Sequence, residues 1–358
     1  MIVSKVIINN KWRNEKGIFD DEKIWRGAKY EVSVKKKSRI LTIFKRMLVF
    51  MLSVVLVWIC FHHIMKLVER DQYPAIGKFI QVENARMHVY TKGNGPNTIV
   101  LLSGLGTASP VLDFEPLINE MSTHNKVVVI EPFGYGWSDM TDEKRTVEHI
   151  VGELRSALQQ LNIPGPYVLM PHSVSGIYSM YYAHEYPDEV KAVVGIDATL
   201  PAALEHFNET PPSMPGYMRY VAPAGLARLA ISLDARNYLP LASEGTYSDK
   251  NLAMIKAITA WKGYNKNVVQ ETNELGDNVK KTAHMSFPSD MPVLFFSRED
   301  DRVRGDGKSL FTFLQTQLTD HPASTIISLQ GHHYLHWTHS KEMSEAVSKF
   351  INDIEDRE

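Results

Sequence analysis

Apolar positions along the chain fall into three patterns, each predicting a different element. From Met47 to Phe61 the run MLVFMLSVVLVWICF carries no charge, and His62 to Met65 extend it to a length marginally able to cross a bilayer core of about 30 Å. From Tyr73 onward, short β-rich runs alternate with amphipathic stretches. Lys78-Phe-Ile-Gln-Val and Met87-His-Val-Tyr-Thr, either side of a turn at Asn84, predict an antiparallel pair. Thr98-Ile-Val-Leu-Leu, Val127-Val-Val-Ile, Tyr167-Val-Leu-Met, Ala192-Val-Val-Gly-Ile, Val293-Leu-Phe-Phe and Thr325-Ile-Ile-Ser-Leu are continuous rather than alternating, as in strands covered on both faces. Ile150, Val151, Leu154, Leu158 and Leu161 recur at helical spacing, as do Met343, Ala346, Val347, Phe350, Ile351 and Ile354. The order predicts an α/β architecture: a mainly parallel sheet with crossover helices.

One interval breaks this rhythm. Between the strands ending near Ile196 and starting at Val293 lie about 90 residues, too many for a simple crossover. An inserted helical cap over residues 200–288 accounts for it, with Leu252 to Trp261 at helical spacing. Its Met, Tyr and Trp content suits a small-molecule substrate with an apolar group.

Charge decides how the first pattern is read. Lys35, Lys36, Lys37, Arg39, Lys45 and Arg46 precede the apolar run, whereas Lys66 and Arg70 follow it beside Glu69 and Asp71. The positive-inside rule then predicts a cytoplasmic tail (1–46), a single-pass membrane anchor (47–65) and an extracytoplasmic domain (73–358). A cleaved signal peptide and a buried helix are the competing readings; Cys60-Phe-His-His-Ile-Met-Lys is a poor cleavage site. Over all 358 residues, 39 Lys and Arg stand against 41 Asp and Glu, and no basic tract lies outside this segment. Nucleic acid is therefore not an expected partner. Cys60 is the single cysteine, so an intramolecular disulfide and a cysteine metal site are both excluded.

Candidate chemistry begins where the strand ending at Met170 runs into a helix. The corner reads Pro171-His172-Ser173-Val174-Ser175, a strand, serine and helix order that suits a nucleophile elbow although both glycines of G-x-S-x-G are replaced. A serine hydroxyl needs a histidine to take its proton and a carboxylate to orient that histidine. Leu101-Leu-Ser-Gly-Leu-Gly, Glu131-Pro-Phe-Gly-Tyr-Gly-Trp-Ser-Asp, the Ser173 corner, Phe296-Ser-Arg-Glu-Asp-Asp-Arg-Val and Gln330-Gly-His-His-Tyr-Leu-His follow one another along the chain.

In that order these stretches resemble the oxyanion loop, glycine turn, elbow, acid loop and histidine loop of the α/β-hydrolase superfamily, over about Lys78 to Ile354. The resemblance implies a serine hydrolase with a helical cap and no cofactor or metal. It implies Ser173 as nucleophile, with Ser175 as the rival serine, and His333 as base, with His332 as the alternative. The acid falls on Asp301 by family spacing, with Asp300 beside it and Asp197, after the preceding strand, as a further candidate. The backbone N–H groups of Leu105 and Val174 fall at the oxyanion hole. Carboxylic ester hydrolysis is the leading reaction; amide, peptide and thioester cleavage, acyl transfer and a ligand-binding protein without turnover remain open. A serine at the elbow argues against haloalkane dehalogenase and epoxide hydrolase chemistry, which in this superfamily uses an elbow aspartate.

Overall fold

A computed structural model of the chain describes residues 39–299 and 307–357. Its first helix, α1, runs from Arg39 to Gln72, and the chain divides into compact units after Ser53. From Ile40 to Val57 the large apolar side chains of α1 are exposed, and the helix is long and apolar enough to cross a membrane. The stretch expected to span the bilayer, 47–65, is not uniformly free. Trp58, His62, Met65 and Glu69 share one helical face, and His62 is only 1% exposed. Those last turns pack on the protein instead of ending the helix.

Eight strands follow in one sheet: β1 (Lys78–Val82), β2 (Ala85–Lys92), β3 (Thr98–Leu102), β4 (Lys126–Ile130), β5 (Tyr167–Pro171), β6 (Val190–Ile196), β7 (Val293–Arg298) and β8 (Thr325–Leu329). Their spatial order is β1-β2-β4-β3-β5-β6-β7-β8, antiparallel at β1/β2 and β2/β4 and parallel elsewhere. All five residues of β3 are buried, because helices cover both faces. Alternate side chains feed two cores. Val100, Val128 and Leu169 pack with Val151, Leu154 and Leu158 of α4 (Val147–Gln160) and Ile177 of α5 (Ser175–Glu185). Ile99, Leu101, Val129 and Met170 pack on the other side, with Val111 of α2 (Pro110–Asp113), Leu117 of α3 (Glu115–Met121) and Val347, Phe350 and Ile351 of the C-terminal helix Ser340–Glu355.

Between β6 and β7 the chain forms helices and turns: α6 (Ala202–Phe207), α7 (Leu226–Leu233), α8 (Asp249–Lys262) and α9 (Lys266–Thr282). The apolar part of this layer is small, centred on Met254, Ile255, Ile258 and Trp261. Two polar clasps hold it. The Arg228 guanidinium grips the Glu69 carboxylate of α1 through two 2.5 Å bonds, and Trp261 Nε1 donates to the same carboxylate at 2.7 Å. On the other side Asn265 caps α9 through the N–H groups of Asn267 and Val268 while its amide donates to Gly134 O at 2.7 Å. Asn267 bonds both to the N–H and to the C=O of Thr141, and Asn278 to Val147 N and Arg145 O.

Candidate active site

β5 ends at Pro171 and α5 begins at Ser175, so the corner is three residues long. Ser173 sits on it with φ 54°, a left-handed conformation that costs an ordinary residue energy and holds its hydroxyl at the carboxyl end of the sheet. The turn is pinned on every side. His172 N donates to Leu102 O at 2.8 Å, Ser173 N to Ile196 O, and Thr199 N to Ser173 O. Pro171 is accommodated as the last residue of its strand, in register with Leu102. Ser175, which replaces the second elbow glycine, is buried and donates its hydroxyl to Ser103 O at 2.5 Å. The replacement thus ties the elbow to the β3 loop. Gly104 in that loop has no such latitude: a Cβ there would lie 2.9 Å from His172 Nδ1 and 3.1 Å from Ser173 Cβ.

His333 Nε2 lies 2.8 Å from Ser173 Oγ, and its Nδ1 lies 2.5 Å from Asp197 Oδ2. A carboxylate only accepts, so Nδ1 carries the proton and Nε2 is free to accept from the serine. Asp197 stands after β6 with φ 41°, and its side chain is nearly all buried. Arg298 meets it through a 3.4 Å bond from the backbone N–H and through its guanidinium at 3.5 Å. The expected acid was Asp301; it and Asp300 lie outside the described residues. Among the described residues, the carboxylate on His333 is Asp197. The end of β6 carries it to the imidazole, a closure across 136 positions that strand spacing alone does not reveal.

The adjacent histidines do other work. His332 Nε2 points to Leu241 O at 3.3 Å. His336 Nε2 donates to Asp113 Oδ2 at 2.7 Å, and the same carboxylate accepts from Trp337 Nε1 at 2.9 Å. His172, fully enclosed, donates from Nε2 to the backbone carbonyl of His333 at 3.1 Å and so supports the histidine loop from behind. Burial, followed by the nearby His336 and His333, pushes the His172 pKa well below its ordinary value, which keeps it neutral.

Leu105 and Val174 flank this arrangement, and among the described residues neither backbone N–H donates to a partner. A cavity of about 420 Å³ opens at Leu105, lined also by Leu226, Ala230, Ile255, Val268 and Tyr334. Another of about 430 Å³ lies at Asp197 and His333, with Ala203, Leu204 and Leu310 in its wall. Two side chains beside the Leu105 loop carry no assignment from sequence: Tyr135, read there only within the glycine turn, and Glu271. Tyr135 Oη accepts from Gly106 N–H at 3.2 Å and donates to Glu271 Oε2 at 2.6 Å. Their signal was Glu271 itself, a carboxylate on the same helical face as Val268 and Leu275.

A family profile described as alpha/beta hydrolase fold matches residues 97–339. The uncharacterized protein YbdG of Bacillus subtilis (strain 168) is 28% identical over 258 residues, which cover 68% of this chain and 75% of that protein. The 2-(acetamidomethylene)succinate hydrolase of Mesorhizobium japonicum is 27% identical over 124 residues, 35% of this chain and 43% of that enzyme. Among solved structures, an epoxide hydrolase mutant of Vigna radiata matches at TM-score 0.60 and 19% identity, over 77% of this chain and 98% of that one. Cfl2 of Burkholderia cenocepacia matches at 0.56 and 19%, over 76% and 94%. At these identities the structures testify to the fold alone. Sheet order, elbow and profile agree, and the chain belongs to the α/β-hydrolase family.

Proposed function

We propose that the protein is a membrane-anchored serine hydrolase that cleaves a carboxylic ester through an acyl-enzyme on Ser173. The observation that carries this reading is His333, bonded at one ring nitrogen to Asp197 and at the other to Ser173. Ser173 Oγ attacks the ester carbonyl carbon while its proton passes to His333 Nε2. The imidazolium so formed is stabilised by Asp197, which takes the role expected of Asp301. Negative charge on the carbonyl oxygen is met by the N–H groups of Leu105 and Val174, each such donor being worth about 3 kcal/mol of barrier. Collapse breaks the carbon–oxygen bond, and the leaving alkoxide takes the proton from His333. Water then repeats the sequence on the acyl-enzyme, restoring Ser173 and releasing the acid.

A serine at the elbow supports acyl transfer over the chemistry named in the epoxide hydrolase structures. The apolar walls of the 420 Å³ cavity suit an aliphatic or aromatic acyl or alcohol group. The exposed apolar stretch of α1 supports anchoring, with the N-terminus cytoplasmic and the hydrolase domain outside. The test is fluorophosphonate labelling of the full chain in detergent, with short- and long-chain p-nitrophenyl esters as substrates. Ser173→Ala should abolish labelling and lower kcat by at least about 10³-fold, and Asp197→Asn by about 10⁴-fold. Asp301→Asn should cost little. Folded wild type that neither labels nor turns over sinks the reading, and an Asp301 effect larger than the Asp197 effect moves the acid to the β7 loop.

A further inference from the structure

The oxyanion loop is not held by the sheet alone. Gly106, next but one to Gly104, has φ 78° and presents its N–H to the phenol oxygen of Tyr135. Tyr135 is only 2% exposed and donates to Glu271, itself 5% exposed, whose other oxygen accepts from Tyr178 at 2.8 Å. Tyr135 belongs to the Gly134-Tyr135-Gly136 turn, and the next residue extends the grip: Gly136 N donates to Ala108 O at 2.7 Å. The cap clamps the same turn from above. Glu271, Asn265 and Asn267 all come from α9 or its cap, so three side chains of the inserted layer converge on residues 134–141.

Burial first, and then the Glu271 charge, raises both phenols well above the ordinary tyrosine range, so they remain protonated donors. With its proton committed to Glu271, Tyr135 Oη has lone pairs left only to accept, and Gly106 N–H is the donor within reach. A turn in the left-handed region beside the Leu105 N–H has few other restraints: Thr107 N to Gly104 O is a 3.3 Å bond across the same loop.

We propose that Tyr135, oriented by Glu271 of the cap, is a positioning residue for the oxyanion hole, fixing Gly106 and with it the aim of the Leu105 N–H. This rests on the acyl-enzyme reading of Ser173. It makes the cap part of the catalytic apparatus, since a residue more than 160 positions from Leu105 sets the geometry of that donor.

The experiment compares Tyr135→Phe, Glu271→Gln and Tyr178→Phe in the full-length protein, by ester kinetics, affinity for an alkylboronic acid that forms a tetrahedral adduct, and hydrogen exchange of the 104–107 backbone. Tyr135→Phe should lower kcat about 10- to 100-fold with KM within about twofold, weaken the boronic acid in parallel, and speed exchange of the loop. Glu271→Gln keeps one acceptor and should fall between Tyr135→Phe and wild type. Combining the two should cost no more than Tyr135→Phe alone. Tyr178→Phe removes an equally buried phenol from the same carboxylate without touching the loop, and should lower kcat less than Tyr135→Phe does. Equal losses from the two phenol variants, a change confined to KM, or unaltered loop exchange in folded Tyr135→Phe would each overturn the proposal. Should Tyr135→Phe not fold, the exchange of Glu271→Gln decides in its place. If wild type proves inert toward esters, the exchange arm still decides the positioning role, and the inertness counts against the hydrolase reading instead.

Discussion

The central sheet and the joint between sheet and cap are both buried, yet they are held by opposite means. In the sheet, β3 and its neighbours bury unbroken apolar runs on two faces. At the joint, α9 meets the 131–147 segment through Asn265, Asn267, Glu271 and Asn278, each bonded to backbone or to a phenol out of solvent. Arg145, wholly buried, adds a two-pronged grip on Glu153 at 2.6 and 2.8 Å next to the same joint. Apolar packing is additive and non-directional, whereas a buried hydrogen-bond network is directional and punishes each missing partner. The two divide the work accordingly: the sheet is held by apolar packing, and the joint holds the 131–147 segment by directional bonds.

The largest loss is expected at the joint, where a buried ion pair stands. Glu153→Gln leaves the Arg145 guanidinium in the interior without the carboxylate it is hydrogen-bonded to and should destabilise the domain by about 3–5 kcal/mol in chemical denaturation. A loss smaller than that of a large-to-small substitution in the sheet would mean that the joint tolerates damage better than the core does. Next in size, Leu101→Ala in the sheet should cost about 2–5 kcal/mol and leave kcat of the folded fraction nearly intact. Asn267→Ala, by contrast, should cost about 1–3 kcal/mol yet lower kcat more than Leu101→Ala does. Equal effects on kcat would erase the division.

The smallest effect concerns His172, where sheet and histidine loop meet. Its pKa in the folded protein lies well below the ordinary value of 6.5, so the native state stays neutral while the unfolded chain takes up a proton as pH falls through 6.5. The folded state therefore loses stability below that pH. His172→Gln cannot titrate and should show a Tm deficit at about pH 8 that shrinks toward about pH 5. A deficit that stays constant with pH would show that His172 contributes only its bond to the His333 carbonyl.

Sheet architecture was legible because a strand buried on both faces must be apolar at every position, and the eight runs read from the chain are β1 to β8. Ser173 was legible through its place between strand and helix, and His333 by resemblance to a histidine loop. The carboxylate on His333 was not. Choosing among Asp197, Asp300 and Asp301 requires knowing which strand end comes within 3 Å of an imidazole, and neighbouring parallel strands end in nearly equivalent positions. The docking of the last turns of α1 was not legible either: hydropathy marks where an apolar run ends but not where a helix packs, and Trp58 and His62 turn toward the cap.

The strand order along the chain, the helical insertion and the serine corner are written in local sequence, since each depends on local periodicity or on a few adjacent residues. Only the packed fold brings Asp197 to His333, lets Ser175 replace an elbow glycine by bonding to Ser103 O, and carries Glu271 through Tyr135 to the loop at Gly106. Those three depend on distances between segments far apart in the chain. A hydrogen bond is made or lost within a few tenths of an ångström, a precision that only the packed sheet and cap provide.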